Sequence, residues 1–118
     1  MAGWILVAGN DAITVLDIEE ILGANGYKVI TAMPMLWDRF RHPDHPPDLV
    51  LIDFDDRNPS PAIRLVTHLR ERSPIRVALL TTVFDDGAHA DVLCPAGRLK
   101  KPFRDHDLLV LVRTVLSR

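Results

Sequence analysis

Residues 46–61, PPDLVLIDFDDRNPSP, limit what this chain can fold into more than any other stretch. Leu49, Val50, Leu51 and Ile52 form an unbroken apolar run, the pattern of a strand buried on both faces of a parallel sheet. Asp53 follows at once, then Phe54, then Asp55 and Asp56. In an open parallel sheet, ligands and chemistry collect just beyond the carboxyl ends of the strands, so a carboxylate at that point is a candidate site.

The rest of the chain alternates around that strand. Trp4 to Ala8 reads as a first buried strand, ending in a turn at Gly9, Asn10 and Asp11. Asp11 stands where a helix N-cap belongs, and the helix after it runs to about Ala24 with Ile13, Leu16, Ile21 and Leu22 on its apolar stripe. Asn25 and Gly26 stop it, because glycine accepts the left-handed backbone of a helix end. Tyr27 to Thr31 alternates and is rich in β-branched residues, which predicts a second strand. A short helix is expected around Met35 to Arg41, and the Pro-rich loop His42 to Pro47 enters the central strand in extended backbone.

Beyond the central strand, Ser60 as N-cap and Pro61 at the first helical position open a helix. It carries Ile63, Val66 and Leu69 inward and ends before Pro74. Val77 to Leu80 forms a fourth strand, closed by Thr81 and Thr82. Residues 85–93 have room for a short helix, which Cys94-Pro95-Ala96-Gly97 interrupts early. Leu99 and its neighbours form a brief fifth strand, ending at Lys101-Pro102-Phe103. From about Asp105 to Leu116 a last helix puts Leu108, Leu109, Val112, Val115 and Leu116 on one face. Val110 and Leu111 widen that face, to be covered by the fourth helix or exposed as a patch for a homodimer. Five strands alternating with helices predict an α/β fold with a parallel sheet covered on both sides.

Composition narrows the class. At 118 residues, 47% apolar and 25% charged, one globular domain spanning residues 1–118 is expected. A formal charge of −2 does not suit nucleic-acid binding, which normally shows a basic patch. The single cysteine, Cys94, has no internal disulfide partner, which fits a reducing cytoplasm. The apolar run in MAGWILVAGND is far too short for a signal peptide or a membrane span.

These residues together resemble a known family, the response-regulator receiver domain of two-component signalling. The resemblance rests on ILVAGND at the start, GYKVITA, PDLVLIDF, VALLTT, then KKPF and the amphipathic final helix. It implies the flavodoxin-like sheet order 2-1-3-4-5 with helices on both faces. It also implies Asp53 as the phosphoacceptor position, Thr81 as the switch hydroxyl, Lys101 as the pocket lysine and a cis Lys101-Pro102 bond. The chemistry suits those residue types. A carboxylate can attack a phosphoryl group to give an acyl phosphate, and the transfer depends on positioning and on neutralising charge, usually through Mg²⁺. A lysine pairs with phosphate oxygens and a hydroxyl donates to one of them.

The departures from the family pattern are as informative. Members usually carry two adjacent acids at the end of the first strand, where this chain has Gly9 and Asn10, with Asp11 one place further on. Mg²⁺ asks for hard oxygens in near-octahedral geometry. At about 4 Å and an effective dielectric near 20, each missing charge alters the energy of a bound cation by roughly several kcal/mol. Asp11, Asn10 and Asp53 are therefore expected to make a weak Mg²⁺ site or none, with Asp55 and Asp56 as further oxygens in reach. Arg57 replaces the family's proline four residues past the phosphoacceptor, and Arg98 replaces its aromatic switch residue. The segment between Thr81 and Lys101 is slightly short, so the fourth helix is expected to be stunted or disordered.

Plainer readings stand beside these. Asp53 and Lys101 can pair for structure alone, and Asp11 can serve as a helix cap. Thr81 and Thr82 can simply finish a strand rich in β-branched residues. Asp55 and Asp56 suit a solvated turn. The histidines of HPDHPPD find no further ligands nearby in the sequence, and Cys94 reads as an ordinary small residue.

Three functional classes follow. One is a degenerate receiver that acts as a phosphorylation-independent interaction module, its pocket closed by an Asp53–Lys101 pair. Another is a conventional receiver phosphorylated on Asp53 by a histidine kinase with Mg²⁺. A distant third is a small flavodoxin-like binder of nucleotide or flavin, which no glycine-rich phosphate loop supports. In the first two classes no external substrate is turned over, and output passes through a protein partner, a kinase or a downstream signalling protein.

Overall fold

The computed structural model describes residues 3–33, 45–55, 57–81 and 90–117. Leu49–Asp53 (β3) lies in the middle of a five-stranded parallel sheet, as its unbroken apolar run requires. Ile5–Ala8 (β1) flanks it on one side and Val77–Thr81 (β4) on the other. Val29–Ala32 (β2) and Gly97–Lys100 (β5) form the rims, giving the order β2-β1-β3-β4-β5. This is the predicted order.

Successive residues of the inner strands serve opposite faces, because a strand alternates its side chains. Leu6, Ala8, Val50, Ile52, Val77 and Leu79 pack with Ala62, Leu65, Val66 and Leu69 of the helix Ser60–Arg72 (α2). Ile5, Val7, Leu49, Leu51, Ala78 and Leu80 pack on the other face. There they meet Val15, Ile18 and Leu22 of Ala12–Ala24 (α1) and Leu108, Val112 and Val115 of Asp105–Leu116 (α3). The rim strand β5 alternates half-buried Gly97 and Leu99 with exposed Arg98 and Lys100.

Several expectations are corrected in detail. The stripe of α1 is Val15, Ile18 and Leu22, while Ile13 and Leu16 are 74% and 58% exposed. Strand β2 starts at Val29 rather than Tyr27, because the Tyr27 N–H is given to the Leu22 carbonyl at 3.1 Å and finishes the helix end. Gly26 takes the left-handed turn there, at φ +89°. Ser60 is the first residue of α2 rather than its cap. Pro59 holds that place, with its carbonyl accepting the Ile63 N–H at 3.1 Å.

The helix predicted around 35–41 lies outside the described residues, as does the 85–89 part of the one expected over 85–93. Ala90–Leu93 forms a 3-10 turn, held to α2 by Arg70, which donates to the Leu93 carbonyl at 2.5 Å. Leu111, surplus to the predicted core, packs on the bare face of Gly97, where an added Cβ would come within 2.7 Å of its Cδ1. Val110 stays 44% exposed. No described helix is long and apolar enough to cross a membrane.

Candidate functional site

The parallel sheet brings the carboxyl ends of β1, β3 and β4 to one rim, and the predicted site residues gather there. Asp53 is the last residue of β3, with its side chain only 8% exposed. Fixed by the β3–β4 register, it lies opposite Leu80, one residue before Thr81. Thr81 ends β4 and is buried, and its carbonyl accepts the Lys101 N–H at 2.7 Å. That bond docks the residue after β5 onto β4. Lys101, 29% exposed and followed by a cis bond to Pro102, donates from Nζ to Asp53 Oδ1. A cation and a carboxylate separated by 48 residues in sequence thus form a part-buried ion pair.

The end of β1 contributes no acid. Gly9 is buried and Asn10 is exposed. Asp11 caps α1: its Oδ1 accepts the Ile13 N–H at 3.1 Å and its Oδ2 the Thr14 hydroxyl at 2.8 Å. The Thr14 hydroxyl, helped by the Ile13 and Thr14 backbone N–H groups and by the more distant charge of Lys101, holds the Asp11 carboxyl below its ordinary value. Both Asp11 oxygens are therefore committed to the helix start.

Asp55 accepts the Arg57 N–H at 3.0 Å and lies 3.7 Å from the Arg57 guanidinium, in an exposed turn. Arg98 lies outward on β5. Asp56, Thr82 and the His42-to-Asp44 part of the HPDH sequence lie outside the described residues. Among the described residues, no three carboxylate, imidazole or thiol groups come together as a metal-holding set.

The residue that sequence reading undervalued is Gly9. A Cβ placed on it would meet Asp53 Cβ at 2.9 Å and Val15 Cγ2 at 3.0 Å. Gly9 was legible as the residue standing where an acid is usual. Its close approach to Asp53 depends on the β1–β3 register, which no local pattern encodes.

A parallel sheet in this order, with a carboxylate ending the middle strand and a lysine after the last, has the fold of response-regulator receiver domains. Solved structures bear this out over nearly the whole chain. A response-regulator receiver domain protein from Clostridium thermocellum matches with a TM-score of 0.78 at 21% identity, over 98% of this chain and 95% of that one. A CheY-like response regulator from Mesorhizobium loti matches at 0.71 and 17% identity, over 98% and 99%. NtrX from Brucella abortus, determined with ADP, matches at 0.77 and 19% identity over 99% of this chain, which spans 27% of the NtrX chain. No protein-family model and no curated protein matches the sequence.

Proposed function

We propose that this domain is an atypical receiver of two-component signalling, acting as a protein-interaction module without phosphorylation. The observation that carries this reading is the Lys101 ammonium seated on Asp53 Oδ1, in a pocket whose β1 end offers glycine instead of acid. Phosphoryl transfer to a carboxylate requires a free oxygen to attack and cations to neutralise the incoming charge. Here Lys101 supplies one cation at Asp53 Oδ1, while Gly9 and Asn10 supply no carboxylate to hold a second.

The donor set does not suit Mg²⁺, which is reluctant to dehydrate and demands near-ideal oxygen geometry. Gly9 has no side-chain oxygen, Asn10 has only a neutral amide, and Asp11 uses both oxygens to cap α1. Among the described residues, Asp53 remains as the carboxylate at this rim, shared with Lys101. Output then falls to binding by a kinase, a downstream protein or a second copy of this chain, inside the cytoplasm.

Gathering Asp53, Thr81 and Lys101 at one rim favours the second reading, a conventional receiver phosphorylated on Asp53. One experiment separates the two. The protein is incubated with acetyl phosphate, or with beryllofluoride, in millimolar magnesium, and its backbone amide shifts are recorded. Silent amides around Asp53 are expected. Shifts centred on Asp53 that disappear in Asp53→Ala would overturn the proposal and establish the conventional receiver.

A further inference from the structure

The backbone at Cys94 is held against its own preference. Its φ is +48°, and among the described residues it is the one non-glycine in the left-handed region, where a β-carbon crowds the carbonyl that follows. Pro95 adds to the conflict, because a residue before proline is pushed toward extended backbone. Three ties oppose these preferences. The Leu93 side chain is buried with Leu65, Val66 and Leu69 of α2. Arg70, in the last turn of α2, donates to two successive carbonyls, those of Leu93 at 2.5 Å and Cys94 at 3.4 Å. The Ala96 N–H is given to the Val77 carbonyl at 2.7 Å. From Gly97 onward the chain is secured by its pairing with β4 and by the Lys101 N–H on Thr81.

We infer that residues 90–96 form a strap, held closed on α2 by the Arg70 guanidinium and able to open as a unit while the sheet stays intact. A segment with few ties and a strained residue belongs to the low-stability end of a fold, where openings are local. Bonds from a guanidinium are charge-assisted and stronger than those between neutral groups, so Arg70 contributes a large share of the closed state. Opening withdraws Leu93 and uncovers the apolar surface of α2 beneath it. An interaction module thereby gains a surface that it presents only part of the time. Because β5 keeps its pairing with β4, the opening stops short of Lys101, and it is independent of whether Asp53 accepts a phosphoryl group.

Amide hydrogen exchange of the native full chain tests this. The Ala96 N–H reports the strap, and the Val50 N–H, bonded to the Arg76 carbonyl at 2.8 Å in the middle of the sheet, reports the core. In the parent, Ala96 should exchange much faster than Val50 relative to their unprotected rates. Its protection should also depend only weakly on low urea, since a local opening exposes little surface. Arg70→Met, which keeps an apolar stem and removes the donors, should speed Ala96 exchange about tenfold or more relative to Val50. Arg70→Lys, with a charge but no fork, should fall between.

The strain at Cys94 gives a second, independent arm. Cys94→Val places a β-branched residue in the left-handed region, where it is a true outlier, and should speed Ala96 exchange severalfold. Cys94→Ala keeps a single β-carbon and should leave the rate as it is, and so should Val92→Thr on the exposed side of the turn. If Arg70→Met does not fold, the parent measurement and Cys94→Val still decide the matter. Ala96 and Val50 exchanging in the parent with equal protection and equal urea dependence would overturn the strap, because the segment would then open only with the whole molecule. A separate Ala96 opening that Arg70→Met leaves unchanged would overturn Arg70 as what holds it closed.

Discussion

Asp11 and Lys101 show how single side chains at this rim are committed to structure. The Asp11 carboxyl, held below its ordinary value by Thr14, contributes stability that is fully present above pH 3.8 and fades as the pH falls through its lower folded value. Asp11→Asn retains an acceptor for the helix cap while removing that proton linkage. The stability difference between parent and variant should therefore narrow as the pH falls below 3.8, and a difference constant from pH 7 to pH 3 would contradict it. At the other residue, Lys101→Ala leaves the Asp53 carboxylate without its partner and should cost about 1–3 kcal/mol, since removing one member of a buried polar pair incurs the full desolvation penalty of the other. Adding Asp53→Ala to it should recover most of that loss in the urea midpoint. A double variant as unstable as the single one would show that the pair is not what holds these residues.

At the scale of elements, the strands were legible because an apolar run between turn residues has few alternatives, and α3 because its spacing selects one face. The orientation of α1 was not legible from its pattern. Ile13 and Leu16 share helical spacing with one another, and so do Val15, Ile18 and Leu22. Both sets satisfy the rule for an apolar stripe. Docking on β1 and β2 breaks the tie, turning the second set inward and leaving the first exposed. Ile13→Lys or Leu16→Lys should then shift stability by no more than about 0.5 kcal/mol. Ile18→Ala, which empties space in the core under α1, should cost about 2–5 kcal/mol. A large loss in Leu16→Lys would place the wrong face of α1 on the sheet.

At the scale of the whole molecule, the site was legible as residue types and less so as an arrangement. Asp53, Thr81 and Lys101 stand out by their positions at strand ends, and the sheet order brings them to one rim. The commitment of Asp11 to a helix cap was legible locally, while the close approach of Gly9 to Asp53 arises only when the strands are in register. Magnesium provides a test on the intact fold. Anything that binds only the native state stabilises it by mass action, so a site filled about 100-fold over its dissociation constant would add about 2.7 kcal/mol and raise the melting temperature by several degrees. The expected result in millimolar magnesium chloride is an unmoved melting curve, matched against the same ionic strength of sodium chloride.

The rim formed by β5 also has a bearing on how copies of this chain can meet. Its outward Arg98 and Lys100 would oppose their own counterparts if two sheets joined edge to edge, and like charges facing each other across a ladder are unfavourable. Growth of the sheet into a continuous ten-stranded ribbon is discouraged on that side, so any pairing of copies there has to be made by helices, with backbone ladders left out of it.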